Sequence, residues 1–409
     1  MKKILVIGYV YPEPNSSAAG GHMLSILELL KKQNWQVTFA TPSQNSDHAI
    51  DLESRGISTK SIILNCSSFD AYLQEYQPDI VFFDRFMMEE QFGWRVEKNC
   101  PTSLKILDTV DLQCLRHARH QAHKGKRKMT QQDLYSDVAK REIASILRSD
   151  ISLIISSFEM ELLTETFKID ASLLHYLPFM IDLEKIPKRI KSFEERQHFM
   201  TIGNFRHAPN WDVVLYLQEI WVEIRKKLPK AELHIYGSYP PPKATALHNP
   251  KKGFHIKGWA EDALEVMEAS RICLAPIRFG AGIKGKLINA MIVQTPSITS
   301  SIGSEGMHSK DEPWGGVVTD DIDEFVAEAI RVYEDKEAWK KAQKNGNAIL
   351  KAHYNHKILG DELIKKIEER LESLEQHRLN NFTGMMLKHH SMMSTKYMSQ
   401  WIEEKNRTT

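Results

Sequence analysis

The sequence predicts an α/β protein of two Rossmann-like, doubly wound domains that face each other across a cleft, followed by a helical tail. Three observations lead there: short apolar and β-branched runs alternate with amphipathic helical patterns, the alternation fades in a charged stretch, and then it starts again. Strands that read as continuous apolar runs belong to parallel sheets covered by helices on both faces. The first series is Ile4 to Ile7, Gln36 to Ala40, Ser61 to Leu64, Ile80 to Phe83, Leu104 to Leu107 and Ile151 to Ile155, with helices such as Met23 to Lys32 between them. The second is Phe199 to Ile202, Glu232 to Tyr236, Phe254 to Lys257, Ile272 to Pro276, Ser297 to Thr299 and Gly316 to Thr319, separated by helices such as Trp211 to Lys227 and Asp262 to Glu268. Residues 1–182 are expected to form the first domain, 183–198 a charged connector, 199–377 the second domain and 378–409 the tail. The charge run Asp361 to Glu375 reads as a solvated helix face. Met385 to Asn406, rich in methionine, histidine and aromatics, is expected to dock on the first domain.

Composition narrows the function classes. At 409 residues and 42% apolar content the chain can build two cores. Its 54 basic and 53 acidic residues give a net charge of +1, so whole-molecule attraction to nucleic acid or membrane is not expected and anion recognition must be local. Cys66, Cys100, Cys114 and Cys273 lack CxxC or metal-ligand spacing, which favours reduced thiols and a cytoplasmic setting. The start, Met1-Lys2-Lys3 before Ile4 to Ile7, resembles a signal peptide, but its apolar run stops at Gly8 and meets Pro12 and Pro14. No apolar run reaches membrane-spanning length.

The most informative segment is Phe279-Gly280-Ala281-Gly282-Ile283-Lys284-Gly285-Lys286, leading into Leu287 to Met291. A strand end, a glycine turn with two lysines and a helix start bind phosphate or diphosphate, because glycines let backbone amides approach the anion and the helix dipole faces it. Gly280 to Lys286 also has the letters of a P-loop, yet Leu287 stands where a hydroxyl should hold magnesium. Arg206 follows a strand-end glycine, Gly203, at a position where its guanidinium fork can reach phosphate oxygens.

With Ala275-Pro276, Asn289-Ala290-Met291, Pro296 and Ser301-Ile302-Gly303-Ser304-Glu305-Gly306, this segment resembles glycosyltransferases of the GT-B fold, specifically family four. Ile202-Gly203-Asn204-Phe205-Arg206-His207-Ala208-Pro209-Asn210-Trp211, Leu233 to Gly237 and Ile256-Lys257-Gly258-Trp259 resemble the same family's donor domain. The resemblance implies retaining transfer of a sugar from a nucleotide-diphosphate sugar, without a metal or other cofactor. It implies a glycan, lipid-linked or protein acceptor, and bacterial surface polysaccharide or protein glycosylation as the setting. Asp111, Arg206 and Lys286 would serve the transfer; Gly20, Gly21, Gly203, Gly258, Gly282, Ile283, Lys284, Asn289 and Glu305 would bind the donor.

Departures are informative. The family's two glutamates, eight residues apart, are here Ala281 and Asn289, so the usual charge-assisted bond to ribose becomes an ordinary one. A noncatalytic or partner-dependent subunit of a glycosylation complex therefore stays open as an alternative. The family's His-Asp pair is here Val110-Asp111, leaving Asp111 to orient a sugar hydroxyl or the acceptor. Beyond it, Arg116, Arg119, Lys124, Lys126 and Arg127 form the strongest local basic cluster. It suits an anionic acceptor or peripheral contact with the inner membrane surface. Interleaved aromatics are missing, so nucleic acid is not expected. His117, His120 and His123 recur every three residues but have no partner at ligand spacing, and a solvated basic helix is the simpler reading. Ser156 to Glu159 reads as a helix cap with an acidic first turn. Leu177 to Asp182 is expected to be the crossover between domains.

Overall fold

The structure, a computed structural model, describes residues 1–186 and 189–407. Its first sheet contains β1 (Lys3–Ile7), β2 (Gln36–Thr41), β3 (Ser58–Ser61), β4 (Ile80–Asp84), β5 (Leu104–Asp108), β6 (Ile151–Ile154) and β7 (Leu174–Tyr176) in the order β3-β2-β1-β4-β5-β6-β7. The second contains β8 (Gln197–Ile202), β9 (Leu233–Tyr236), β10 (Phe254–Gly258), β11 (Ser270–Ala275), β12 (Ser297–Thr299) and β13 (Gly316–Val318) in the order β10-β9-β8-β11-β12-β13. Every strand pair is parallel. Central strands such as β1, β4 and β5 are buried on both faces, which is why they read as unbroken apolar runs.

The edge strands departed from expectation. β3 is polar and lies at Ser58–Ser61, while Ile63 and Leu64 of the expected strand are exposed. β7 was missed, because a three-residue edge strand carries too short a pattern. In each sheet the strand order reverses beside the first strand, between β1 and β4 and again between β8 and β11. The loops leaving those strands open a crevice, the position where doubly wound sheets bind ligands.

The chain crosses between the sheets twice at one place. Ile181 and Asn355 form a parallel bridge, with the Ile181 amide donating to the Tyr354 carbonyl (2.8 Å) and the His356 amide to the Ile181 carbonyl (3.1 Å). The expected crossover at Leu177 to Asp182 thus has a second strand alongside it. The return comes at residues 354–356, ahead of the expected boundary at 377. Helix His356–Glu372 then buries Leu359, Leu363 and Ile367 in the same cluster as Ile4, Val6 and Leu27. Its charged side faces solvent while this stripe completes the first core, so the run Asp361 to Glu375 is only half a solvated face.

The terminal helix Phe382–Arg407 packs on helices Phe86–Asn99 and Asp137–Arg148 of the first domain. Most of its anchors are polar. Arg148, buried with Glu89, donates to Ser391 Oγ (2.9 Å), Arg95 donates to Ser399 Oγ (3.3 Å), and Ser67 donates to Glu403 (2.6 Å). Gly384 lets the backbones touch, since a Cβ there would sit 2.2 Å from the Leu147 carbonyl oxygen. Met392 is buried, whereas Phe382, Tyr397, Met398 and Trp401 stay exposed. No described helix is long and apolar enough to cross a membrane.

Candidate active site

The glycine-lysine loop leaves β11 at the crevice and enters helix Gly285–Ile292. Gly282 has φ +64°, a left-handed conformation that favours glycine, and a Cβ there would lie 2.8 Å from Asp111 Cβ. Its amide donates to Glu159 Oε1 (2.8 Å), so a carboxyl group of the first domain sits where an anion was expected. Lys284 Nζ donates to the Gly282 carbonyl (2.7 Å) and Lys286 Nζ to Asn210 Oδ1 (2.9 Å). Both lysines are half-buried, and loss of hydration lowers their pKa values. Loss of hydration brings Lys286 to about 8; for Lys284 the same effect is opposed by nearby Glu305 and Glu159. Ile283 turns its side chain into the second core.

The opposite wall is acidic. Asp84 and Asp108 end β4 and β5; Asp111 follows, and Glu159 comes from the short helix Ser157–Glu161. Burial, with Asp84 adding repulsion, pushes Asp108 up to about 7. Glu159 is raised chiefly by burial and secondarily by Asp111, and its Oε2 is buried with no hydrogen-bond partner. Its Oε1 also accepts from the Leu112 amide (3.0 Å), while Glu142 accepts from Gln113 and Cys114 (2.9 and 2.8 Å). Two carboxyls from other elements therefore occupy the positive end of helix Gln113–Lys124. His22, on helix Ala18–Lys32, lies 3.8 Å from Asp108 with both ring nitrogens unpartnered, and burial lowers its pKa to about 4. Arg85 and Val110, at the ends of β4 and β5, have φ +72° and +64°. Strained backbone of this kind gathers at functional sites.

The expected site residues divide. Gly20 and Gly21 lie inside a helix that begins at Ala18, and their amides are taken by Ser17 Oγ (3.1 Å) and the Ser17 carbonyl (3.2 Å). Gly20 serves contact instead, since a Cβ there would meet the Glu13 backbone at 2.5 Å. Gly203 packs against Asn210, and Gly258 has φ +76° in open space. Arg206 is exposed and lies over the Tyr239 ring at 3.6 Å. Tyr239 donates to Glu13 (3.1 Å), and Trp259 donates to the Asn15 carbonyl (3.3 Å) while stacking on His48. Asn289 lies in the helix behind the loop and forms no side-chain hydrogen bond within the described residues.

The basic cluster is split by the fold. Arg116 donates to Asp111 (2.6 Å) and lies 3.2 Å from His207 Nε2. Arg119 makes a two-pronged pair with Glu305 (2.8 and 2.7 Å) and donates to the Gly280 carbonyl (2.9 Å). His120 stacks on Phe279 with centroids 4.5 Å apart, and His123 approaches Asp212 at 3.2 Å. One face of this helix therefore meets the second domain and is not simply solvated. Lys124, Lys126 and Arg127 remain exposed, with Arg127 paired to Asp133 (2.6 Å). Beside Arg116 a recess of ≈ 250 Å³ is lined by Gln113, His117, His207 and Phe279 among others.

Glu159 and His22 were missed as site residues. An acid in the first turn of a short helix looks like a capping charge, and a helix histidine near two glycines has no spacing signal. The nearby unpartnered atoms appear only in three dimensions. Among the described residues the cleft gathers no three His, Cys, Asp or Glu ligand atoms at metal distance.

Residues 196–335 match the family model described as glycosyl transferases group 1, a segment that includes the glycine-lysine loop. Sucrose-phosphate synthase from Thermosynechococcus elongatus is similar in structure, with 15% identity over 91% of this chain and 100% of that one and a TM-score of 0.68. TarM from S. aureus, solved with Fondaparinux, alpha-GlcNAc-glycerol and UDP, has 10% identity over 90% and 99% of the two chains and a TM-score of 0.70. HepE from Anabaena, solved with UDP-glucose, has 10% identity over 90% and 100% and a TM-score of 0.67. No curated protein matches the sequence. The chain has the two-domain GT-B fold, and the family match with these neighbours supports a glycosyltransferase.

Proposed function

We propose that the protein moves a sugar from a nucleotide-diphosphate sugar to a glycan, lipid-linked or protein acceptor, with retention of anomeric configuration and no metal in the transfer step. The glycine-lysine loop carries this reading: it leaves β11 at the strand-order reversal, offers Lys284, Lys286 and a helix start, and lies against Asp111. The departing nucleoside diphosphate gains negative charge in the transition state, and fixed positive groups nearby stabilise it most there. Lys286, Lys284 and the amides of Gly282 and Ile283 are those groups, with Arg206 arriving from the loop after β8. For the Gly282 amide to meet phosphate, Glu159 must yield it. Donor binding thus exchanges a carboxyl within the protein for a phosphate oxygen, a substitution of like chemistry.

On the acceptor side, Asp111 orients a sugar hydroxyl, with Arg116 holding its carboxylate in place. Two observations keep the noncatalytic alternative in play: Asn289 lacks the charge for a strong ribose bond, and the Gly282 amide already has an internal partner. Thermal unfolding of the purified chain against UDP-, GDP- and dTDP-sugars, with a CMP-sugar as a one-phosphate contrast, separates the two readings. The transferase reading expects stabilisation by at least one diphosphate donor that Lys286→Ala and Arg206→Ala both weaken. A flat response to every donor, where a related active enzyme responds, overturns it.

A further inference from the structure

The second sheet holds a histidine cluster at the end away from the cleft. Parallel register sets His255 of β10 beside His234 of β9, and Glu232, two residues ahead of His234, points to the same face. His255 stands three residues before Gly258, about 10 Å along the strand from its cleft end.

We propose that Glu232, His234 and His255 bind a divalent transition metal of the zinc class. One ligand atom from each lies within 4.8 Å of the others: Glu232 Oε2 is 2.8 Å from His234 Nε2 and 3.5 Å from His255 Nε2. His255 Nε2 is buried with no hydrogen-bond partner, an orphan that a metal would satisfy. Two imidazoles and a carboxylate suit zinc and its neighbours, and three protein ligands leave a coordination position for water.

The flanking histidines bond to backbone amides and do not join this set. His198 Nδ1 accepts from the Glu232 amide (3.2 Å), and His248 Nδ1 accepts from the Ile256 amide (3.1 Å). In a neutral ring that leaves the proton on Nε2, so neither offers a second lone pair. Burial lowers the pKa of His234 and His255, and the hydrogen bond from His234 leads the causes that lower that of Glu232. On binding, any proton on His234 Nε2 moves to Nδ1 or to water. Lys257 lies close enough to His234 and His255 to oppose the added charge, which limits affinity. A bound cation would clip edge strand β10 to β9.

The test uses the full, metal-stripped chain and zinc(II) alone, followed by calorimetry and thermal unfolding, with cobalt(II) absorption reporting nitrogen and oxygen ligation. One equivalent is expected to bind and raise the melting temperature. Glu232→Gln and His255→Gln should each weaken binding at least about tenfold and abolish the shift, while His389→Gln with His390→Gln, on the terminal helix, changes neither. Metal-free variants should melt with the metal-free parent; if His255→Gln does not fold, Glu232→Gln carries the decision. Absence of stoichiometric binding, unchanged affinity in Glu232→Gln, or loss of binding on changing His389 and His390 overturns the proposal.

Discussion

The two walls of the cleft are built on opposite principles. The second-domain wall is backbone and cation: Gly203, Gly258 and Gly282 allow close approach, and Lys284 and Lys286 supply charge. The first-domain wall is carboxyl: Asp84, Asp108, Asp111 and Glu159, with Asp108 and Glu159 held above their ordinary pKa values by burial. Closed on each other, the walls satisfy part of each other's demand, through Glu159 to Gly282 and Arg119 to Glu305. In this arrangement the Gly282 amide already has an internal partner, so on the proposed reading a donor displaces a carboxyl there, and closure and binding compete for the same amide.

The largest way to break this relation is Gly282→Val. A Cβ at φ +64°, 2.8 Å from Asp111 Cβ, disturbs both walls, and donor affinity measured by calorimetry should fall more than about a hundredfold, or roughly 2.7 kcal/mol. Gly258→Ala sharpens the contrast, since its φ of +76° stands in open space and only backbone strain of about 1 to 2 kcal/mol is expected. Next comes Lys286→Ala, which removes a charge-assisted contact of about 1.5 to 3 kcal/mol. Donor affinity should fall roughly ten- to a hundredfold, without loss of the melting temperature.

The acidic wall has its own signature in pH. Asp108 is raised to about 7, so the folded state holds a proton that the unfolded chain releases near its ordinary value of 3.8. That preference is fully present at low pH and is lost as pH rises through about 7. The melting temperature of Asp108→Asn relative to the parent should therefore climb between pH 4 and 7 and then level off, with a ceiling of about 1.4 kcal/mol per pH unit. A pH-independent difference would remove Asp108 from the set of buried protonated acids. The smallest effect belongs to Arg119→Ala: the Glu305 pair is mostly but not wholly covered, so donor affinity should change only a few-fold, and small-angle scattering should show a more open chain.

Sequence legibility followed the same division. The glycine-lysine loop was readable because a left-handed turn at Gly282 followed at once by a helix start needs particular residue types in consecutive positions. The central strands were readable because burial on both faces forces continuous apolar runs. Of the acidic wall only Asp111 was, because Asp84, the Asp108–Asp111 turn and Glu159 come from three separate segments and meet only through topology. Gly20 shows a related ambiguity: a glycine required by close backbone contact, here with Glu13, looks in sequence like one that binds a ligand. The tail's location followed from its apolar content, yet its docking runs through Ser391, Ser399 and Glu403, which carry no pattern.

The double crossing at Ile181 and Asn355 has a consequence for biosynthesis. The first domain takes part of its core from helix His356–Glu372 and buries Arg95 and Arg148 against the terminal helix. A nascent chain on the ribosome therefore has every strand of the first sheet outside the tunnel long before it has the helices that cover it. The second domain, whose last core residues lie near Tyr354, can finish first. Order of synthesis and order of completion are reversed, and the unfinished first sheet is the intermediate that a chaperone would meet.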